Sequence, residues 1–135
     1  MELGNWKELS IKFNDLNQKI FLSYNVNELT DYEKRKIIFN YLCDNLEYDY
    51  EYLDRLIKIA KNETEDTHRS PYKEVESVLI NSKGICNGIA QVYRILLELN
   101  NILSLCVICD NGMEVGHQLN LVYDKDHNTY SFDDN

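Results

Sequence analysis

Gly84-Ile85-Cys86-Asn87-Gly88-Ile89-Ala90-Gln91-Val92-Tyr93-Arg94-Ile95-Leu96-Leu97-Glu98-Leu99-Asn100-Asn101 is the stretch on which the fold turns. Ile85, Ile89, Val92, Leu96 and Leu99 recur at helical spacing, so they line one apolar face, and Asn100-Asn101 ends the pattern. The period then changes. Ile102 to Cys109 is a β-prone apolar run, Val115 to Tyr123 a second and Thr129 to Phe132 a short third, separated by Asp110-Asn111-Gly112 and Asp124-Lys125-Asp126. A helix followed by three strands joined through turn-rich breaks predicts an antiparallel meander packed on the preceding helices.

Upstream the chain reads as helical. Trp6, Leu9, Phe13, Leu16 and Ile20 alternate spacings of three and four, predicting an amphipathic helix that ends near Asn25. Thr30 followed by Glu33 is a capping-box pattern, and Ile38, Leu42 and Leu46 then share a stripe, so a second helix is expected from about Asp31 to Glu47. Cys43 within it reads as a small apolar filler. Leu53, Leu56, Ile57 and Ala60 suggest a third helix, fraying into a polar loop from Asn62 to Arg69. Ser70-Pro71 reads as an N-cap with Pro at the first helical position, ahead of a short helix that stops before Gly84. The expected fold class is α+β in a single domain, residues 1–135, with a helical part over 1–70 and a core over 71–135.

With 135 residues, 44% hydrophobic and 27% charged, the composition is that of one globular domain. Fourteen Lys and Arg against 23 Asp and Glu give a net charge of −9, which disfavours nucleic acid and anionic membrane surfaces as partners. The N-terminus lacks a basic segment followed by an apolar run, and a cytoplasmic location is the expectation. Four cysteines are too few for a disulfide scaffold, so the free thiol is their expected state.

Cys86 falls at the start of the central helix, where unpaired backbone N–H groups and the positive end of the helix dipole favour a thiolate. Gly88 and Ala90 follow, leaving room for a substrate or a strand to approach closely. In the second strand, alternation puts His117, Leu119, Leu121 and Tyr123 on one face. If the third strand returns across a three-residue loop, Asp124 to Asp126, Tyr123 opposes His127 and His117 opposes Asp133. A carboxylate opposite an imidazole fixes its tautomer and leaves the other ring nitrogen free to take a thiol proton.

Gly84-Ile85-Cys86-Asn87-Gly88-Ile89-Ala90, then Gly116-His117-Gln118-Leu119-Asn120, then Tyr130-Ser131-Phe132-Asp133 together resemble the transglutaminase-like superfamily, papain-type thiol enzymes. There a G-x-C-x-G-x-A segment opens the nucleophile helix, an H-x-W-N segment carries the base, and an aromatic-rich strand ends in the third triad residue. The resemblance implies Cys86 as nucleophile, His117 as base and Asp133 as orienting carboxylate, with Asp134 as the alternative for the third role. It implies attack on an amide or ester carbonyl and an acyl-enzyme that water hydrolyses or an amine intercepts. Hydrolysis, transamidation and deglycosylation of peptides all remain open, acting on a peptide or protein substrate. The oxyanion would be held partly by the Cys86 backbone N–H, with Tyr72 a candidate second donor. Leu119 departs from the usual aromatic, and no Thr or Trp follows the acid, which bears on substrate and rim.

No cofactor or metal is expected. Cys106 and Cys109 form a C-x-x-C, but residues three apart on a strand point to opposite faces. His68 and His127 sit in polar loops and read as exposed. The alternative from another class is a non-catalytic peptide-binding module on the same fold; retention of both Cys86 and His117 favours the enzyme.

Overall fold

A computed structural model describes residues 3–109 and 117–134. At its centre lies helix α5 (Cys86–Leu99), in which Val92, Tyr93, Leu96 and Leu97 are wholly buried. Val92 and Leu96 lie on the apolar face read from the sequence, which the structure widens to Tyr93 and Leu97, while Leu99 at its end is 40% exposed. One side of α5 receives helices α1 (Leu3–Ile20), α2 (Asp31–Asn45) and α4 (Pro71–Asn81), and the other a three-stranded sheet.

The local signals account for the helix starts. Thr30 and Glu33 form a complete capping box, each side chain accepting the other's backbone N–H, at 3.1 and 3.0 Å. Ser70 accepts from Lys73 N–H with Pro71 at the first helical position. Helix α3 (Tyr50–Ala60) begins three residues before its apolar stripe, because Asp49 caps it by accepting from Tyr52 N–H at 3.1 Å. Residues 62–69, expected to be a loop, carry no helix or strand.

Two helices end earlier than their periodicity suggests. α1 stops at Ile20 rather than near Asn25, because Phe21 turns into the core beside Ile20. α2 stops at Asn45 because Glu47–Tyr48 forms a short strand, β1, parallel to β2 (Lys83–Gly84). Cys43 is exposed instead of filling the core; one residue past Leu42, it lies about 100° off the buried stripe.

The sheet is the expected antiparallel meander, ordered β3 (Ser104–Cys109), β4 (His117–Asp124), β5 (Thr129–Asp133). The expected beginning of the second strand at Val115 and the turn Asp110-Asn111-Gly112 lie outside the described residues. Asn120 and Val122 face α5 and are buried, and Asn120 Nδ2 donates to Ala90 O at 2.9 Å. The β4–β5 register differs from the expected one. Asp124 pairs with Thr129 and Asn120 with Asp133, so His117 does not oppose Asp133. The Asp124 carboxylate accepts from the N–H groups of Asp126 and His127, and Asn128 adopts φ 51°, which together close a four-residue connection over residues 125–128. The pairing moves by three residues. An odd shift exchanges the faces, carrying Asp133 to the α5 side and Asp134 to the side of His117.

Candidate active site

Cys86 is the first residue of α5, preceded by an extended Ile85. Its backbone N–H, one of the groups a helix start leaves without an intrahelical acceptor, meets the Tyr48 hydroxyl oxygen at 3.4 Å. Tyr48 is brought there by the β1–β2 pair, in which Tyr48 lies opposite Gly84 and Asp49 N–H donates to Gly84 O at 2.8 Å. Burial first, and then the neighbouring Cys86, push the Tyr48 phenol up to about 12, so near neutrality it keeps its proton and can donate.

The helix start is shaped by close packing of α4. A Cβ on Gly88 would stand 2.8 Å from Glu74 O, and one on Gly84 2.5 Å from Val78 Cγ2. Gly88 therefore admits helix α4, not a substrate, while the strand approaches at Ala90. Glu74 is buried and accepts from Asn87 Nδ2. Burial raises the Glu74 carboxyl above its ordinary value, against the weaker fields of Arg69 and His68.

His117 opens β4 with its ring partly exposed, and its Nε2 lies 2.8 and 2.9 Å from the two oxygens of Asp134. That contact assigns the Nε2 proton to the carboxylate side and leaves Nδ1 as the basic nitrogen of the neutral ring. Asp134 and Cys86 line one crevice, too narrow to admit a water, together with Ile89, Ala90, Gln118, Leu119 and Asn120. Among the described residues no hydrogen bond joins Cys86 Sγ to His117.

Asp133 is engaged elsewhere. It accepts from Arg35 Nε at 2.6 Å, Arg35 Nη2 at 2.8 Å and the Tyr93 hydroxyl at 2.5 Å. Arg35 also donates to Ser131 Oγ at 2.8 Å, so one guanidinium ties β5 to α2 while Tyr93 ties it to α5. Burial and then this carboxylate hold the Tyr93 phenol protonated. Tyr72, the expected second oxyanion donor, is buried with its ring edge-on to Trp6 at 5.2 Å, and the hydroxyl beside Cys86 N–H belongs to Tyr48.

A family model described as the transglutaminase-like superfamily matches residues 20–126. The chain belongs to the transglutaminase-like superfamily. No curated protein matches it. A solved structure described as the crystal structure of a TGase is 21% identical, with a TM-score of 0.69 over 95% of this chain and 32% of its own. At that identity the likeness shows the fold, and the chain spans about a third of that TGase's length. The family match includes Cys86 and His117 and ends before β5, so both candidate carboxylates lie beyond it.

Two features of this transglutaminase-like domain escaped the sequence. Tyr48 has no motif around it, and only the two-residue β1–β2 pairing reveals its place. Arg35 reads as one more polar residue on α2, and nothing local points to Asp133. A larger cleft of about 740 Å³, lined by Asp49, Tyr52, Asp54, Arg55, Lys58 and Arg69 among others, contains neither Cys86 nor His117, and within it Asp49 pairs with Arg69 and Asp54 with Lys58. Among the described residues no group of three or more His, Cys, Asp or Glu is placed to hold a metal, and no helix is long and apolar enough to cross a membrane.

Proposed function

We propose that the chain is an acyl-transfer thiol enzyme acting on a peptide or protein amide, with Cys86 as nucleophile, His117 as base and Asp134, in place of Asp133, as orienting carboxylate. The observation that carries the reading is the cleft that Cys86, at the first position of α5, shares with Asp134, the residue holding His117. In the reaction, His117 Nδ1 takes the Cys86 proton and Sγ bonds to the substrate carbonyl carbon. The tetrahedral oxyanion accepts from Cys86 N–H and from the Tyr48 hydroxyl, which turns its proton toward it. Collapse expels the amine, which leaves with the proton from His117. Water, deprotonated by the same nitrogen, then releases the acid, or a second amine takes the acyl group.

The second reading, a non-catalytic peptide-binding module, draws on one observation: the Cys86 backbone N–H donates to the Tyr48 hydroxyl and His117 meets Asp134, with no hydrogen bond between Cys86 and His117 among the described residues. Iodoacetamide labelling at pH 7 with peptide mapping separates the readings. Cys43, exposed, serves as an internal reference thiol. For an enzyme, Cys86 reacts about ten-fold or more faster than Cys43, and His117→Ala or Asp134→Ala removes most of the difference. Cys106, whose thiol burial raises, reacts slowest. Cys86 and Cys43 labelling at equal rates, with no response to His117→Ala, would leave the binding module.

A further inference from the structure

We propose that two copies of this chain pair through the sheet face turned away from α5. That face is apolar in successive rows. Leu103, whose carbonyl accepts from Tyr123 N–H, begins a row with Tyr123 and Tyr130, and Leu105, Leu121 and Phe132 form the next. Leu103, Leu105, Tyr130 and Phe132 are 58%, 53%, 55% and 61% exposed, far more than strand residues flanked by apolar neighbours need be. The Tyr123 and Tyr130 rings lie 5.1 Å apart and extend the patch to its corner.

Area and charge identify the occupant. The four exposed side chains present about 500 Å² between them, and the half-buried Leu119, Leu121 and Tyr123 bring the face to roughly the 600 Å² per partner at the lower end of stable interfaces. A patch of that size stands at the upper end of what a monomer leaves open, where such patches are often functional. The molecule carries a net charge of −9, so contact between two copies over most of its surface sets like charges together. The two rows carry no ionisable carboxylate or amine, which makes this face one where like-charged copies meet without that penalty. Two such sheets stack about 10 Å apart around a two-fold axis near Leu105 and Leu121, a closed arrangement in which the same patch serves both partners. The row of Leu119 and the position of Asp134 lies next along the strands, so the partner copy borders the candidate site.

The test is sedimentation velocity of the full chain from about 2 to 200 µM, in low salt and in 0.5 M NaCl. The wild type is expected to pass from monomer to dimer with a Kd on the order of 10 µM. The Kd tightens in high salt, because screening weakens the repulsion between copies while an apolar contact persists. Leu105→Glu with Phe132→Glu should weaken the dimer at least 100-fold with an unchanged circular dichroism spectrum. Independently of those substitutions, Leu105→Cys in a Cys43→Ser, Cys86→Ala background should be joined copy to copy by a short bismaleimide, whereas Leu22→Cys in the same background, 84% exposed on the helical side, should not. A monomer at 200 µM in both salts overturns the proposal, leaving the face to a different partner. So does a dimer indifferent to the double substitution, or crosslinking at Leu22→Cys in place of Leu105→Cys.

Discussion

Replacing Asp133 by Ala separates two roles that its place next to Asp134 confounds. The Asp133 carboxylate accepts three hydrogen bonds, two from a guanidinium and one from a buried phenol, and the side chains of Arg35 and Asp133 are only 13% and 20% exposed. Removing one partner of a buried ion pair costs about 3–5 kcal/mol because the other charge is stranded; partial exposure puts this pair near the lower end, about 3 kcal/mol. For a domain of this size that lowers the thermal midpoint by about 10 °C. Asp134→Ala removes a side chain that is 55% exposed, and its cost to folding should stay within about 0.5 kcal/mol. Differential scanning calorimetry on both variants, together with the iodoacetamide rates at Cys86, gives the four numbers needed. Asp133→Ala is expected to lose stability, Asp134→Ala to lose Cys86 reactivity while melting like the wild type. An Asp133→Ala protein that melts within a degree of wild type refutes the assignment of Asp133 to the Arg35–Tyr93 cluster.

Tyr48→Phe should slow acylation by p-nitrophenyl acetate about 100-fold and leave iodoacetamide labelling of Cys86 within two-fold, because alkylation forms no oxyanion; stopped-flow release of nitrophenol measures the first. Glu74 has its pKa raised by burial, so the folded state holds the proton more tightly than the unfolded, and stability falls as pH rises from the ordinary 4.5 to the raised value. Urea midpoints from pH 4 to 8 should therefore fall less in Glu74→Gln, which keeps an acceptor for Asn87. Gly88→Ala gains about 1 kcal/mol of helix propensity but forces a Cβ to 2.8 Å from Glu74 O, an overpacking that costs about 1–3 kcal/mol, so a net loss of about 1 kcal/mol is expected in chemical denaturation.

The features legible in the sequence are those written in neighbouring residues. The capping box at Thr30 and Glu33 and the Ser70-Pro71 start depend on contacts within one turn, and both are present, while the opening of α5 at Cys86 follows from the onset of its apolar period, with no side-chain cap at Ile85. The β4–β5 register was not legible, because the three-residue and four-residue connections differ only in how Asp124 and Asn128 dispose a few backbone groups. That difference decides which of two adjacent aspartates reaches His117. Cys43 shows the same limit on a helix, where being next to a buried leucine says nothing about facing inward. Tyr48 and Arg35 act at sequence separations of 38 and 98, and no local pattern encodes partners so distant.

The two rungs of β1 and β2 also govern where this chain can change length. Glu47 N–H donates to Ser82 O and Asp49 N–H to Gly84 O, so the excursion between these points begins and ends at fixed places beside Cys86. Within it, residues 61–70 form no helix or strand and are mostly exposed, whereas α4 is packed on α5. Doubling a flexible loop adds only about 0.6 kcal/mol of closure entropy. Residues can accumulate between α3 and α4 while Tyr48 and Cys86 keep their spacing, a joint at which relatives of unequal length can share one arrangement of nucleophile and hydroxyl.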